Sequence, residues 1–137
     1  MSQTTATDMM AAFAYRLVSN KSFDEVVANL EHQTAEHKFR VLHVHDVQAT
    51  LAEKGFRRDP IKIIEICNAG FAHQALEKDM HVALFMPCRF AVHSENGRTV
   101  VTLGRPSMIA QMMPQAGLNQ LAADVEQTLR SIMEKSV

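Results

Sequence analysis

Two cysteines, Cys67 and Cys88, are the residues of this chain best suited to chemistry, and each lies near the end of a strongly apolar run. Their spacing fits no compact zinc motif and no CxxC redox motif. One interpretation is that Cys67, at a strand end beside a helix N-terminus, binds a soft metal or exchanges disulfides. The other is plain burial, because free cysteine is among the most buried residue types.

Polar residues accompany both cysteines. Glu65 stands among isoleucines two residues before Cys67, so it needs a cationic partner if it is partly buried. Arg89, which follows Cys88, is the candidate partner. The two either pair across the sheet or flank a small polar pocket beside the thiols. We therefore predict a ligand-binding site that consists of Glu65, Cys67, Asn68, Cys88 and Arg89.

Two histidines, His43 and His45, suggest a second kind of chemistry. They stand two residues apart on one face of a predicted strand, as in strand-borne metal sites. No carboxylate or third histidine follows at a characteristic distance, so an exposed or interface pair is the alternative. Haem binding through His43, His45 or His73 lacks a CxxCH motif. The sequence identifies no particular cofactor.

The elements that position the cysteines follow from local patterns. Residues 61–67 are rich in β-branched side chains and follow Asp59-Pro60, which predicts a strand. Asn68 is expected to cap a short helix after it. From His81 to Val92 apolar residues recur with a period of two, which predicts a second strand with Cys88 on its core face. Pro87 lacks a backbone donor and predicts an edge or a bulge at that point.

Two short segments also carry a family resemblance: EICN at residues 65–68 and LFMPCR at residues 84–89, followed by a strand and the Asn96-Gly97 turn. They resemble the uncharacterised family called domain of unknown function 302, from about Phe23 to Pro106. Ala69 stands where the family often has proline, and alanine is tolerated there. The resemblance implies an α+β fold, a curved antiparallel sheet of TATA-binding-protein-like topology, and a homodimer. It implies no established activity and does not license DNA binding.

The remaining patterns complete the predicted fold. Residues 1–10 are expected to be flexible, and residues 11–137 to form a single α+β domain with about five strands covered by the first and last helices. Ser22 and Glu25 predict a capping box, and Asn96-Gly97 predicts a two-residue hairpin turn. Strands are expected at residues 13–17, 39–44 and 99–103, and a long amphipathic helix at residues 118–133. Residues 107–113 carry no assignable pattern.

Composition restricts the possible partners. The chain has 137 residues and a net charge of −1, so no global basic field attracts nucleic acid or anionic membranes. No stretch reaches the roughly 20 apolar residues of a membrane span, and the N-terminus does not resemble a secretory signal. We expect a cytoplasmic protein with reduced thiols.

The expected function is that of a dimeric, non-enzymatic binding or accessory protein that holds a small molecule. The homodimer is also favoured because the strand at residues 61–67 is apolar on both faces. The alternative is thiol or metal chemistry at Cys67 and Cys88, such as redox exchange, sulfur transfer, or haem or copper binding. A third possibility is a structural dimer that acts on a protein partner. The chain has no GxGxxG, Walker, GxSxG or HExxH motif to support an enzyme class.

Overall fold

Five antiparallel strands form the sheet of this protein, whose computed structural model describes residues 6–137. The order across the sheet is β1-β5-β4-β3-β2. The α+β class and the five-stranded antiparallel sheet predicted from the sequence are thus confirmed. The strands are β1 (Ala14–Ser19), β2 (Arg40–Asp46), β3 (Ile61–Cys67), β4 (Cys88–Glu95) and β5 (Arg98–Gly104).

Helices precede, connect and follow these strands. The α-helices are α1 (Ala6–Phe13), α2 (Phe23–Glu36), α3 (Val47–Ala52), α4 (Ala69–Lys78), α5 (Pro106–Met112) and α6 (Asn119–Ser136), with short 3-10 helices at Met80–Phe85 and Pro114–Ala116. Residues 1–10 were expected to be flexible, and the first five of them lie outside the described range. From Ala6 the chain is helical, and the flexibility itself stays a prediction.

One face of the sheet carries the hydrophobic core. Alternation along each strand directs every second side chain to this face, where α2 and α6 pack. The helices contribute the stripes expected from their spacing, including Leu30 of α2 and Leu129 of α6, both with no exposed surface. The strand residues that are fully buried here are Ile64, Ile66, Phe90, Val92, Val101 and Leu103.

The opposite face, which we call the open face, bears the alternate residues of the same strands. Its centre is apolar and partly exposed: Ile61 and Ile63 are half-buried, and Val18 is 41% exposed. None of its side chains belongs to the core cluster of the described residues. By register, the open face includes Arg16, Val18, His43, His45, Ile61, Ile63, Glu65, Arg89, Ala91, His93 and Val100.

Local signals determine where α2 begins and where the hairpin turns. The Ser22 hydroxyl accepts a hydrogen bond from the Glu25 backbone N–H at 3.2 Å, which is one of the two hydrogen bonds of the predicted capping box. The hairpin between β4 and β5 turns at Asn96 and Gly97, whose φ angles of 52° and 77° suit a type I′ turn.

The prediction of one strand from His81 to Val92 is wrong. Residues Met80–Phe85 form a 3-10 helix, which begins where the Asp79 carboxylate accepts the His81 backbone N–H at 2.8 Å. The period of two was misleading, since Val82 is buried whereas Leu84 is 80% exposed. The strand starts only at Cys88, directly after Pro87, which has no N–H to pair.

Regular alternation along β2 would place Val41 on the same face as His43 and His45, but the structure places it on the other face. The register of β2 against β3 shifts between Val41 and His43, where a β-bulge leaves Leu42 unpaired and 50% exposed. Val41 therefore lies on the core face opposite Ile66, and the histidines lie on the open face. Simple alternation cannot detect an inserted residue, because the bulge reverses the side on which each later residue falls.

Helix α5 fills the stretch at residues 107–113 that sequence patterns leave unassigned. Pro106 occupies its first turn, where a missing N–H costs nothing. The carboxylate of Glu126 on α6 accepts hydrogen bonds from the Ser107 hydroxyl at 2.7 Å and from the guanidinium of Arg105 at 3.2 Å. Burial raises the pKa of Glu126, but the Ser107 hydrogen bonds and the Arg105 charge outweigh burial and lower it. This carboxylate fixes α5 against α6.

Two phenylalanines test how strongly the core face holds the fold together. Phe90 has no exposed surface and Phe56 is 63% exposed. We expect Phe90→Ala to lower the free energy of unfolding by about 3–5 kcal/mol, and the control Phe56→Ala to change it by no more than about 0.5 kcal/mol. Urea denaturation measures both, and equal losses in the two variants would contradict the placement of the core.

Candidate functional site

A cavity of about 90 Å³ lies where the end of the sheet meets the helical layer. Strand ends contribute Ile66, Cys67 and Cys88 to its wall. Helices α4, α5 and α6 and the 3-10 helix at Met80–Phe85 supply most of the rest, and nearly all of that wall is apolar. The helical lining residues are Phe71, Ala72, Ala75, Val82, Phe85, Pro106, Ile109, Ala110, Leu121, Ala122 and Val125, and the connecting segments add Phe39, Asn68, Met86, Pro87 and Leu118.

Cys67 and Cys88 reach this cavity from neighbouring strands. Cys88 pairs with Ile66 in the β3–β4 register, so Cys67 is the next residue along β3. Alternation directs Cys88 to the core face and Cys67 away from it, but Cys67 is the last residue of β3, where the sheet no longer separates the two sides. Both cysteines are free and half-buried. The structure thus brings together two thiols that are remote in the sequence.

The chemistry of the Cys88 thiol depends on its surroundings. Burial raises the pKa of the Cys88 thiol to about 11; the nearby Cys67 thiol raises it as well, and Arg89 acts in the opposite direction. Cys88 is therefore protonated at neutral pH. A protonated thiol is a poor nucleophile, so Cys88 in the free protein is not an activated cysteine.

Asn68 also lines the cavity, but its side chain serves the backbone. Its carbonyl oxygen accepts the Phe71 backbone N–H at 3.0 Å and caps α4 as predicted. Its amide donates to the backbone carbonyl of Lys38 at 2.9 Å, beside the start of β2. The carbonyl and the amino group of the Asn68 side chain are both hydrogen-bonded to the backbone. These bonds fix the position of the backbone at the edge of the cavity, next to Cys67.

Glu65 and Arg89 lie outside the cavity wall. They are direct partners in the β3–β4 register on the open face, with Arg89 Nη2 3.9 Å from a Glu65 carboxylate oxygen. The shorter contact of Glu65 is to His45, whose Nε2 lies 2.7 Å from the other oxygen. Of the two arrangements considered from the sequence, the structure shows the cross-strand pair. The five predicted ligand-binding residues therefore fall into two groups on different sides of the sheet end.

His43 and His45 meet edge to face on the open face, with ring centroids 4.3 Å apart and the planes at 72°. Within residues 6–137, no group of three or more His, Cys, Asp or Glu side chains is placed to hold a metal ion. The structure thus adds no third ligand to the histidine pair, and its metal site stays a prediction.

Sequence patterns missed most of the cavity wall. The stripe Phe71, Ala72 and Ala75 was visible as the apolar side of a short helix, but the helix could not be assigned to a cavity. Met86 was missed because it was placed inside a strand. The 3-10 helix carries Val82 and Phe85 at a spacing of three, which is the available signal for one helical face.

Comparisons with known proteins agree with this architecture. The family described as "Domain of unknown function DUF302" matches residues 15–136. The chain belongs to this family. A crystal structure of an uncharacterised conserved DUF302 protein from Bacillus stearothermophilus superimposes with a TM-score of 0.86 and 31% sequence identity, covering 91% of this chain and 98% of that one. Among proteins with curated descriptions, none matches.

The match to the DUF302 family spans both cysteine segments and all five strands. The resemblance drawn from the EICN and LFMPCR segments is thereby confirmed. Among the described residues of this DUF302 protein, no helix is both long and apolar enough to cross a membrane.

Alkylation rates test the state of the Cys88 thiol. With a pKa of about 11, Cys88 in the folded protein should react with iodoacetamide at pH 8 on the order of 100-fold more slowly than in urea, where the thiol pKa is roughly 8.5. The folded-state rate should rise as pH increases towards 11. Mass spectrometry of the labelled peptides follows the reaction, and rapid labelling of folded Cys88 at pH 7 would contradict this assignment.

Proposed function

We propose that this DUF302 protein is a non-enzymatic binding protein whose cavity holds a small apolar molecule or an apolar group of a larger one. The observation that carries the proposal is the cavity wall itself, in which Asn68 is the main polar residue and is already hydrogen-bonded to backbone. A ligand there gains free energy from removing apolar surface from water, about 25 cal/mol per Å².

The size of the cavity restricts the ligand. An engineered apolar cavity of roughly 150 Å³ stays dry and binds benzene or xenon, so a cavity of about 90 Å³ suits a smaller group. The absence of a charged side chain from the described lining disfavours a carboxylate or phosphate buried at its centre. The ligand class is thus a short aliphatic or similarly compact apolar group.

Xenon is a suitable probe because it needs only an apolar space. We expect xenon under pressure to shift the NMR methyl signals of Ile66 and Val82, which line the cavity. Ala72→Leu adds volume at the cavity wall and should lower the xenon response about 10-fold, with a loss of stability of no more than about 3 kcal/mol.

Ala123→Leu is the matched control, since Ala123 is exposed on α6 beside the lining residue Ala122. It should leave the xenon response unchanged. An unperturbed Ile66 signal in the wild-type protein, or equal responses in the two variants, would contradict the proposal.

We further propose that the protein acts as a homodimer that covers the open face. The support is the apolar centre of that face, where Ile61 and Ile63 are only half-buried and lie outside the core cluster. Polar and charged residues surround this centre, including the pairs Glu65–Arg89 and Arg16–Glu95. An apolar centre with a polar rim is the usual composition of a protein interface.

Light scattering tests the dimer. The wild-type protein should show twice the chain mass of 15.3 kDa at micromolar concentration. Ile63→Lys places a charge at the centre of the interface and should shift the mass to that of a monomer. Leu84→Lys, at a position 80% exposed beside the cavity, should leave the dimer intact. A monomeric wild-type protein would contradict this part of the proposal.

A further inference from the structure

Three sulfur-bearing side chains line the cavity. Besides the thiols of Cys67 and Cys88, Met86 lines the same space and brings a thioether sulfur. Met86 stands two residues before Cys88 at the entry to β4, and Cys88 pairs with the neighbour of Cys67. Three sulfur-bearing side chains therefore come from one end of the β3–β4 pair.

We propose that Cys67, Met86 and Cys88 form a binding site for Cu(I) at the sheet end of the cavity. Thiolate and thioether sulfur are soft ligands, which select Cu(I) over harder ions. The inference uses the cavity of the proposed function but does not require that an apolar molecule binds there.

The surroundings distinguish Cu(I) from zinc. Structural zinc sites use four nitrogen, sulfur or oxygen ligands. In the part of the chain that the structure describes, no third His, Cys, Asp or Glu joins the two cysteines as a possible ligand. Thioether sulfur, the further donor that we assign here, is a soft ligand that suits Cu(I), whereas protein zinc sites are built from Cys, His, Asp and Glu. The donor set thus suits a metal that accepts few, soft ligands.

Charge also has to be balanced in an apolar site. Cu(I) displaces the two thiol protons, which pass to solvent, and no electron is transferred. Two thiolates and one Cu(I) leave a single negative charge, which is costly to bury alone. Arg89 follows Cys88 directly on β4, and its guanidinium is positively charged at neutral pH. This guanidinium offsets the negative charge from the solvent side, where Arg89 is 53% exposed.

Competition with a chelator tests the site. Full-length protein with both thiols reduced is mixed, without oxygen, with Cu(I) held by bathocuproine disulfonate, whose absorbance reports the metal it keeps. We expect the protein to remove one Cu(I) per chain. Loss of a residue that only supports a metal ligand weakens metal binding ~10–100-fold. Cys67→Ser and Cys88→Ser remove a ligand itself, so each should weaken Cu(I) binding by more than that. Met86→Leu should weaken it by about 10-fold.

Met80→Leu is the matched control, because Met80 is 70% exposed and does not line the cavity. It should bind Cu(I) as the wild type does. Thermal unfolding shows whether each variant is folded, and Cys88→Ala, with a small apolar replacement, serves if Cys88→Ser is not. X-ray absorption of the wild-type complex should show copper surrounded by sulfur alone.

Three results would overturn the proposal: unchanged Cu(I) affinity in either cysteine variant, nitrogen ligands in the absorption spectrum, or Zn(II) binding as tight as that of Cu(I). The xenon experiment separates the two ideas. A protein that binds Cu(I) through these residues without any xenon response disproves only the apolar-ligand function. A xenon response with no Cu(I) binding disproves only the metal site.

Discussion

The antiparallel pairing of β3 with β4 is the constraint on which the rest of this structure depends. It sets Cys88 beside Ile66, Arg89 beside Glu65, and Phe90 beside Ile64. The three pairs lie in different surroundings. The first pair lines the cavity, the second lies on the open face, and the third is buried under α2 and α6. A one-residue slip would exchange the two faces of the strand, so the buried pair also fixes the position of the thiols.

The sequence was sufficient for the parts of the fold that local rules determine. Capping residues such as Ser22 and Asn68, the Asn96-Gly97 turn and the helical stripe of α6 act over a few residues, and each has the predicted role. The pairing of Glu65 with Arg89 was anticipated as one of two arrangements. Proximity of the cysteines was left open, because their separation along the chain means that only strand pairing could bring them together.

The rest depended on contacts that no local pattern encodes. The bulge at Leu42 inserts one residue into β2, so that Val41 and His43 lie on opposite faces although they are two residues apart. The cavity is formed by side chains from three α-helices, a 3-10 helix and several strand ends, so no single segment reveals it. The division of the predicted site into a cavity group and an open-face group follows from Cys67 being the last residue of its strand, a boundary that sequence patterns place only within a few residues.

Strand β3 packs against the helices on one of its sides only. Ile64 and Ile66 are buried against the helices, whereas Ile63 and Glu65 are half-buried among the strands' other side chains. Close-packed interiors transmit a change in volume to their neighbours rather than absorbing it. Side-chain size along β3 is therefore restricted at every second position, at Ile64 and Ile66, whereas a change of volume at Ile63 meets open space rather than a packed layer.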